Sequence, residues 1–188
     1  MLVDYVRVYA DDDLTTPALP VPALIEAENF ANKYGLQFET TTDTGGGLNA
    51  GYSSDGDWIE YLLETPTAGL YSIDLRGASQ SGVAKVRISA EEEAFTSAFF
   101  PATGGWQAWT TERIGEIVLP NGEVTLRLTI DSPSKEDLNI NWLDIQLVEA
   151  YENPDDYGMF NGYEVVDGWV DTGDFVGWVN ITHYPWVY

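Results

Sequence analysis

From Leu24 onward, apolar and polar residues alternate in short runs. Tyr71/Ile73/Leu75, Ala84/Val86/Ile88/Ala90 and Val124/Leu126/Leu128/Ile130 each put their apolar members on one face of an extended chain. This period of two predicts half-buried β-strands. Gly, Pro, Asn and Asp separate the runs, as in Pro66-Thr-Ala-Gly69 and Pro120-Asn-Gly122, and the second reads as a tight turn before an antiparallel return. No helical period of useful length occurs beyond a single turn near Glu28 to Lys33. The pattern predicts an all-β fold, a two-sheet β-sandwich with jelly-roll topology.

The two ends break this pattern. Leu2-Val-Asp-Tyr-Val-Arg-Val-Tyr9 is a β-branched and aromatic run with nothing before it to pair with, so residues 1–10 read as the terminal strand of a preceding domain. Residues 11–23 hold a charge run and Pro17, Pro20 and Pro22, the composition of an extended linker. The sandwich is assigned to 24–149. From 150 to 188 the chain has no Lys or Arg and is dense in aromatics, among them Trp169, Trp178 and Trp186. It reads as a truncated C-terminal β segment, the start of a further small module, with Asp167 to Trp178 as a tight hairpin; an extension packed on the sandwich is the alternative.

Charge narrows the partners. With 31 acidic and 8 basic residues the formal net charge is −23, which repels nucleic acid and anionic membranes at long range. No run of 18 apolar residues reads as a transmembrane helix. The acid excess fits a saline, extracellular setting. The chain lacks cysteine, so disulfide and thiol chemistry are excluded, and its single histidine, His183, excludes triads and two-histidine zinc sites. Glu91-Glu-Glu93 cannot set two carboxylates across a sugar and reads as a solvated charge run.

Candidate chemistry lies in three segments. Gly45-Gly-Gly-Leu-Asn-Ala-Gly-Tyr52 is a flexible loop ending in an aromatic, with Trp58 and Tyr61 just beyond, and Gly104-Gly-Trp106-Gln-Ala-Trp109 repeats the arrangement. Asp137-Leu-Asn139-Ile-Asn141-Trp142-Leu-Asp144 adds amides and carboxylates. Aromatic faces beside amides match a pyranose, whose C–H face stacks while its hydroxyls hydrogen-bond. Tyr52 and Trp106, each following a Gly-rich stretch, are the candidate walls of a cleft. Trp58, Tyr61, Trp109 and Trp142 lie inside strand-like runs and are assigned to the core. Asn139 and Asn141 are two residues apart and share a strand face, so spacing leaves open which amide reaches a ligand; Asn139 is preferred as nearer the loop. Asp55 and Asp57 suit turn formation.

These segments, preceded by Ile25-Glu26-Ala-Glu28 and Gly35-Leu-Gln-Phe-Glu39, resemble the family 6 carbohydrate-binding modules over about residues 23–149. The resemblance implies Tyr52 and Trp106 as the stacking pair, Asn139 as the main polar ligand and Glu39 as a carboxylate at the cleft. It also implies a structural Ca²⁺ held by Glu26, Glu28 and Asp144, hard oxygen donors of the type that ion requires. Asp4-Tyr-Val-Arg-Val-Tyr9 resembles the closing strand of family 16 glycoside hydrolases, whose Glu-x-Asp-x-x-Glu catalytic strand does not occur here. The expected function is a non-catalytic polysaccharide-binding module of a secreted hydrolase. It is expected to be monomeric, tethered in cis to a catalytic domain, and to prefer a β-glucan such as laminarin. Agarose or another marine galactan in the same cleft is the alternative ligand. A calcium-dependent adhesion module without glycan binding is the alternative from another class. Residues 131–137 lengthen a loop beside the proposed cleft.

Overall fold

The computed structural model describes residues 17–81, 83–90, 94–132 and 138–151, together with the backbone of short strands within 157–177. The described strands of the main body are β1 (Leu19–Pro20), β2 (Ala23–Glu26), β3 (Asn32–Tyr34), β4 (Gln37–Thr40), β5 (Leu48–Gly51) and β6 (Trp58–Thr65). They continue with β7 (Gly69–Ala78), β8 (Ala84–Ala90), β9 (Ala94–Phe100), β10 (Thr110–Leu119), β11 (Gly122–Ile130) and β12 (Asn139–Ala150). A single 3₁₀ turn over Ala27–Asn29 accounts for the expected helical turn.

One sheet runs β1-β6-β11-β8-β9, with β3 lying end to end with β1 along the same edge of β6. The other runs β10-β7-β12-β5-β4, with β2 and β5 sharing one edge of β12. The chain changes sheet at every connection of the main body except β4–β5 and β8–β9, which makes the jelly roll. The alternating runs face the space between the sheets: Tyr71, Ile73, Leu75, Val86, Ile88, Leu126, Leu128 and Ile130 all join one buried cluster with Ile59, Tyr61 and Leu63. Burying each such side chain contributes about 1.5–3 kcal/mol. The core therefore carries the fold without disulfides.

Three expectations need correction. The linker does not extend to residue 23: β1 pairs in parallel with β6, and Val21 is buried against the core, so the sandwich begins by Leu19. Pro120-Asn-Gly122 turns the chain, but into the opposite sheet, because β11 pairs with β6 and β8 and not with β10. Asn121 Nδ2 donates to Pro66 O at 2.6 Å, clasping the two sheet-changing turns together. Finally, of the aromatics assigned to the core only Tyr61 is there. Ile59, Tyr61 and Leu63 point inward, so Trp58 points out, where Tyr34 stacks on it with centroids 6.4 Å apart and Arg127 lies 4.3 Å from its ring. Trp142 and Trp109 are likewise only half-buried.

Beyond the sandwich, Tyr157–Phe160 pairs with Tyr163–Val166 and Val170–Asp171 with Val176–Gly177, the latter within the expected hairpin. Residues 1–10, Glu91–Glu93 and His183 lie outside the described residues. No helix among the described residues is long and apolar enough to cross a membrane.

Candidate functional site

β4 and β5 form a hairpin whose loop carries Gly45, Gly46 and Gly47 at φ of 106°, 74° and 91°, angles that a β-carbon disfavours. Its register sets Glu39 opposite Asn49. Tyr52 follows β5 at φ 56°, the one non-glycine residue with positive φ among the described residues. That conformation costs about 1–2 kcal/mol in an L-residue. It leaves the ring 63% exposed at the sheet end, with its hydroxyl 3.4 Å from Glu39 Oε2. Strain retained at an exposed aromatic is characteristic of a functional position.

The second aromatic arrives from the other side. Thr103 anchors the 101–109 loop to the end of β7: its hydroxyl accepts from Ser79 N and donates to Ser79 O, both at 2.9 Å. Trp106, 39% exposed, sits on this loop, and its carbonyl accepts from Asn139 Nδ2 at 2.8 Å.

A polar cluster links the Tyr52 hydroxyl to the Trp106 carbonyl. Glu39 Oε1 accepts from Asn49 Nδ2 at 3.3 Å, Gln107 Nε2 at 3.2 Å and Asn139 Nδ2 at 3.2 Å. Tyr52, Trp106, Asn139 and Glu39, chosen from sequence, thus meet in one hydrogen-bonded cluster. The amide of Asn139 works differently from expectation, however. Both of its N–H bonds are spent on Glu39 and the Trp106 carbonyl, so toward a ligand it offers only the acceptor Oδ1. Glu39 Oε2, bonded only by the Tyr52 hydroxyl, is a second acceptor.

The two asparagines have different partners. The β12–β7 register shifts between Ile140 and Trp142. Asn141 Nδ2 donates to Asp43 Oδ2 at 3.0 Å, whereas Asn139 Nδ2 donates to Glu39 and to the Trp106 carbonyl. Asp57 acts as a turn former, accepting from Ser54 N at 2.8 Å, whereas Asp55 accepts from the distant Ser132 N at 2.8 Å and ties its loop to the end of β11.

The calcium set implied by resemblance is only partly assembled. Among the described residues no three His, Cys, Asp or Glu side chains form a group that could hold a metal ion. Asp144 is the odd member: it stands opposite Leu24 in the β2–β12 pairing and is bonded by Gln146 Nε2 at 2.6 Å. Glu26 and Glu28 do lie together. Burial, then the charges of Glu28 and Asp43, raise the Glu26 carboxyl above its ordinary range. Glu28 Oε1 accepts from Leu48 N at 3.0 Å, whereas Glu28 Oε2 and Asn141 Oδ1 are buried without a partner. Buried oxygens left unpaired beside a carboxylate cluster fit a hard cation. Glu26 and Glu28 thus have the character of hard-cation donors, while Asp144 is bonded by Gln146. Asp43 is committed elsewhere: Arg76 donates to both its oxygens, at 2.7 and 2.8 Å, and the guanidinium holds its carboxyl below the ordinary range.

Sequence reading passed over Asn49, Gln107, Asp43 and Arg76. The first two were visible as amides inside the quoted Gly-rich segments, in Leu48-Asn-Ala and Trp106-Gln-Ala. Arg76 and Asp43 lie 33 residues apart and carry no local signal.

The profile described as Carbohydrate binding module (family 6) matches residues 26–146. The chain is 32% identical over 134 residues to the clotting factor G alpha subunit of Tachypleus tridentatus, an alignment covering 69% of this chain and 19% of that protein. The chain thus spans about a fifth of that relative. Among solved structures, a family 6 module of Cellvibrio mixtus lichenase 5A in complex with cellotriose is similar at TM-score 0.62 and 36% identity. That alignment covers 69% of this chain and 99% of the module. A β-1,3-glucan-binding family 6 module from Bacillus halodurans is similar at TM-score 0.61 and 28% identity, with the same coverage of both chains. The match over most of the sandwich, joined to the aromatic and amide cluster at its loop end, identifies this chain as a member of the family 6 carbohydrate-binding modules.

Proposed function

We propose that this module binds a neutral β-glucan, with β-1,3-glucan favoured, between Tyr52 and Trp106, and performs no catalysis itself. The observation that carries the reading is the pair of exposed aromatics tied to one polar floor through Glu39 and Asn139. Each ring face that stacks on a sugar contributes on the order of 1–2 kcal/mol. Asn139 Oδ1 and the remaining lone pair of Glu39 Oε2 accept hydrogen bonds from sugar hydroxyls. An acceptor-only floor on a chain of net charge −23 disfavours sulfated and uronate glycans, which leaves the neutral ones. The β-1,3-glucan preference draws on similarity to the β-1,3-glucan-binding module from Bacillus halodurans.

In this reading the module belongs to a secreted polysaccharide hydrolase and acts through proximity. Holding a tethered enzyme near a polymer raises its effective concentration into the millimolar range for a short flexible linker, with no new chemistry. A Ca²⁺ ion held by Glu26, Glu28 and Asn141 would neutralise the carboxylate cluster and fix the Gly45–Gly47 loop, through Glu28, from behind the cleft.

Affinity electrophoresis against laminarin, mixed-linkage glucan, xylan, agarose and carrageenan tests the proposal, with reducing ends measured in parallel. Retardation by laminarin with no new reducing ends is the expected result. Retardation by agarose alone moves the ligand to a neutral galactan, retardation by carrageenan refutes the charge argument, and retardation by none favours an adhesion module.

A further inference from the structure

We infer that Gln107 is the positioning residue that holds the Trp106 wall against the rest of the cleft; this rests on the proposed glycan-binding reading of the same site. Gln107 Oε1 accepts from Thr42 N at 2.8 Å and from Thr42 Oγ1 at 3.1 Å. Its Nε2 donates to Glu39 Oε1 at 3.2 Å and to Asn49 Oδ1 at 3.1 Å. A primary amide has two hydrogens and two acceptor lone pairs, and all four are occupied. Gln107 therefore has no capacity left for a sugar hydroxyl.

What it does have is position. It follows Trp106 directly, and its partners lie on β4, β5 and the loop between them, the hairpin that ends in Tyr52. The 101–109 loop is otherwise held at its start by Thr103 and at its tip by Asn139 on the Trp106 carbonyl. Among the described residues Gln107 supplies the side-chain hydrogen bonds that join it laterally to the hairpin, and so sets the separation and tilt of the two walls before ligand arrives. Preorganisation of this kind strengthens binding by removing an ordering cost.

The orientation of the amide supplies the test. In Gln107→Glu one carboxylate oxygen can still accept from Thr42, but the other faces Glu39 Oε1 and Asn49 Oδ1, both acceptors. Ionised, it is repelled by Glu39; protonated, its O–H donates as Nε2 did, because two facing carboxyls readily share one proton. The remaining titratable or charged groups near it are Tyr52, on Glu39 Oε2, and Asp43, already paired with Arg76.

The experiment measures hydrogen-exchange protection of residues 101–109 and laminarin affinity for wild type, Gln107→Ala and Gln107→Glu at pH 4.5 and pH 7.5. The expected result is about tenfold loss of protection and of affinity in Gln107→Ala at both pH values. Gln107→Glu, read against wild type at the same pH, is expected to show the loss at pH 7.5 and to recover most of it at pH 4.5. Wild-type protection of the loop in Gln107→Ala, or a Gln107→Glu defect independent of pH, overturns the inference. Exchange is read without sugar, so a loosened loop in a protein that binds no laminarin refutes the glycan reading and leaves the positioning role standing.

Discussion

Adding one methyl group at Gly51 tests the geometry of the floor. A β-carbon there would lie 2.7 Å from Asn139 Oδ1, 3.2 Å from its Cγ and 3.4 Å from Asn49 Nδ2. The first distance is impossible, so Asn139 must move. Asn139 is only 4% exposed and is pinned by bonds of 2.8 and 3.2 Å to Trp106 O and Glu39, so moving it breaks at least one of them. That loss costs about 1–3 kcal/mol, and Gly→Ala returns about 0.4–1 kcal/mol by restricting the unfolded chain. The net destabilisation in Gly51→Ala is about 1 kcal/mol, a fall in melting temperature of about 4 °C for a domain of this size. Binding suffers more, because the acceptor Oδ1 is displaced and the Trp106 carbonyl loses its tether together. The expected loss is about 10- to 100-fold in affinity. Scanning calorimetry and titration calorimetry with a laminarin oligosaccharide measure the two effects separately. Wild-type affinity in Gly51→Ala would show that Asn139 does not contact the sugar as argued.

Three further predictions concern the region behind the cleft. Calcium at a hundred times its dissociation constant should add about 2.7 kcal/mol of stability, visible as a rise in melting temperature that Glu28→Gln abolishes and Asp144→Asn leaves intact. If Asp144→Asn removes the shift, the ligand set built on Asn141 is wrong. In calcium-free buffer the raised Glu26 carboxyl has a definite sign: the folded state holds its proton to higher pH than the unfolded state. The contribution of Glu26 to stability is therefore highest below the unfolded value, falls as pH rises toward the folded value, and is flat above it; Glu26→Gln should remove that contribution to the slope and raise stability at pH 7 by under about 1 kcal/mol. A pH-stability curve unchanged by Glu26→Gln would refute this. Arg76→Ala leaves the carboxylate of Asp43, only 7% exposed, without its paired cation, and should cost about 2–3 kcal/mol in denaturant melts; a cost under about 0.5 kcal/mol would mean the pair is solvated and of little weight.

What could be read in advance follows from the range of the forces involved. Strand alternation is local, so the inward faces of β7, β8 and β11 were legible, as was Tyr52 at the end of its glycine loop. Trp58 was not, because its run of apolar neighbours hid which parity faced inward; only the pairing of β6 with β3 and β11 fixes it outward. The parallel docking of Leu19–Pro20 on β6 and the passage of Pro120–Gly122 into the opposite sheet are tertiary choices without a local sequence mark. The same holds for the site. Tyr52 and Trp106 announce themselves by composition, but Glu39 and Asn139 lie 100 residues apart and meet only because β4, β5 and β12 share a sheet. The two amides, equivalent by spacing, differ only in tertiary partners: Glu39 and the Trp106 carbonyl for Asn139, Asp43 for Asn141.

The most direct test of the central claim is affinity electrophoresis in laminarin of wild type beside Tyr52→Ala and Trp106→Ala, with melting temperatures taken on the same samples. Each substitution is expected to abolish retardation while the melting temperature stays near that of wild type, since both rings are exposed. Undiminished retardation of either folded variant would contradict a cleft formed between these two aromatics.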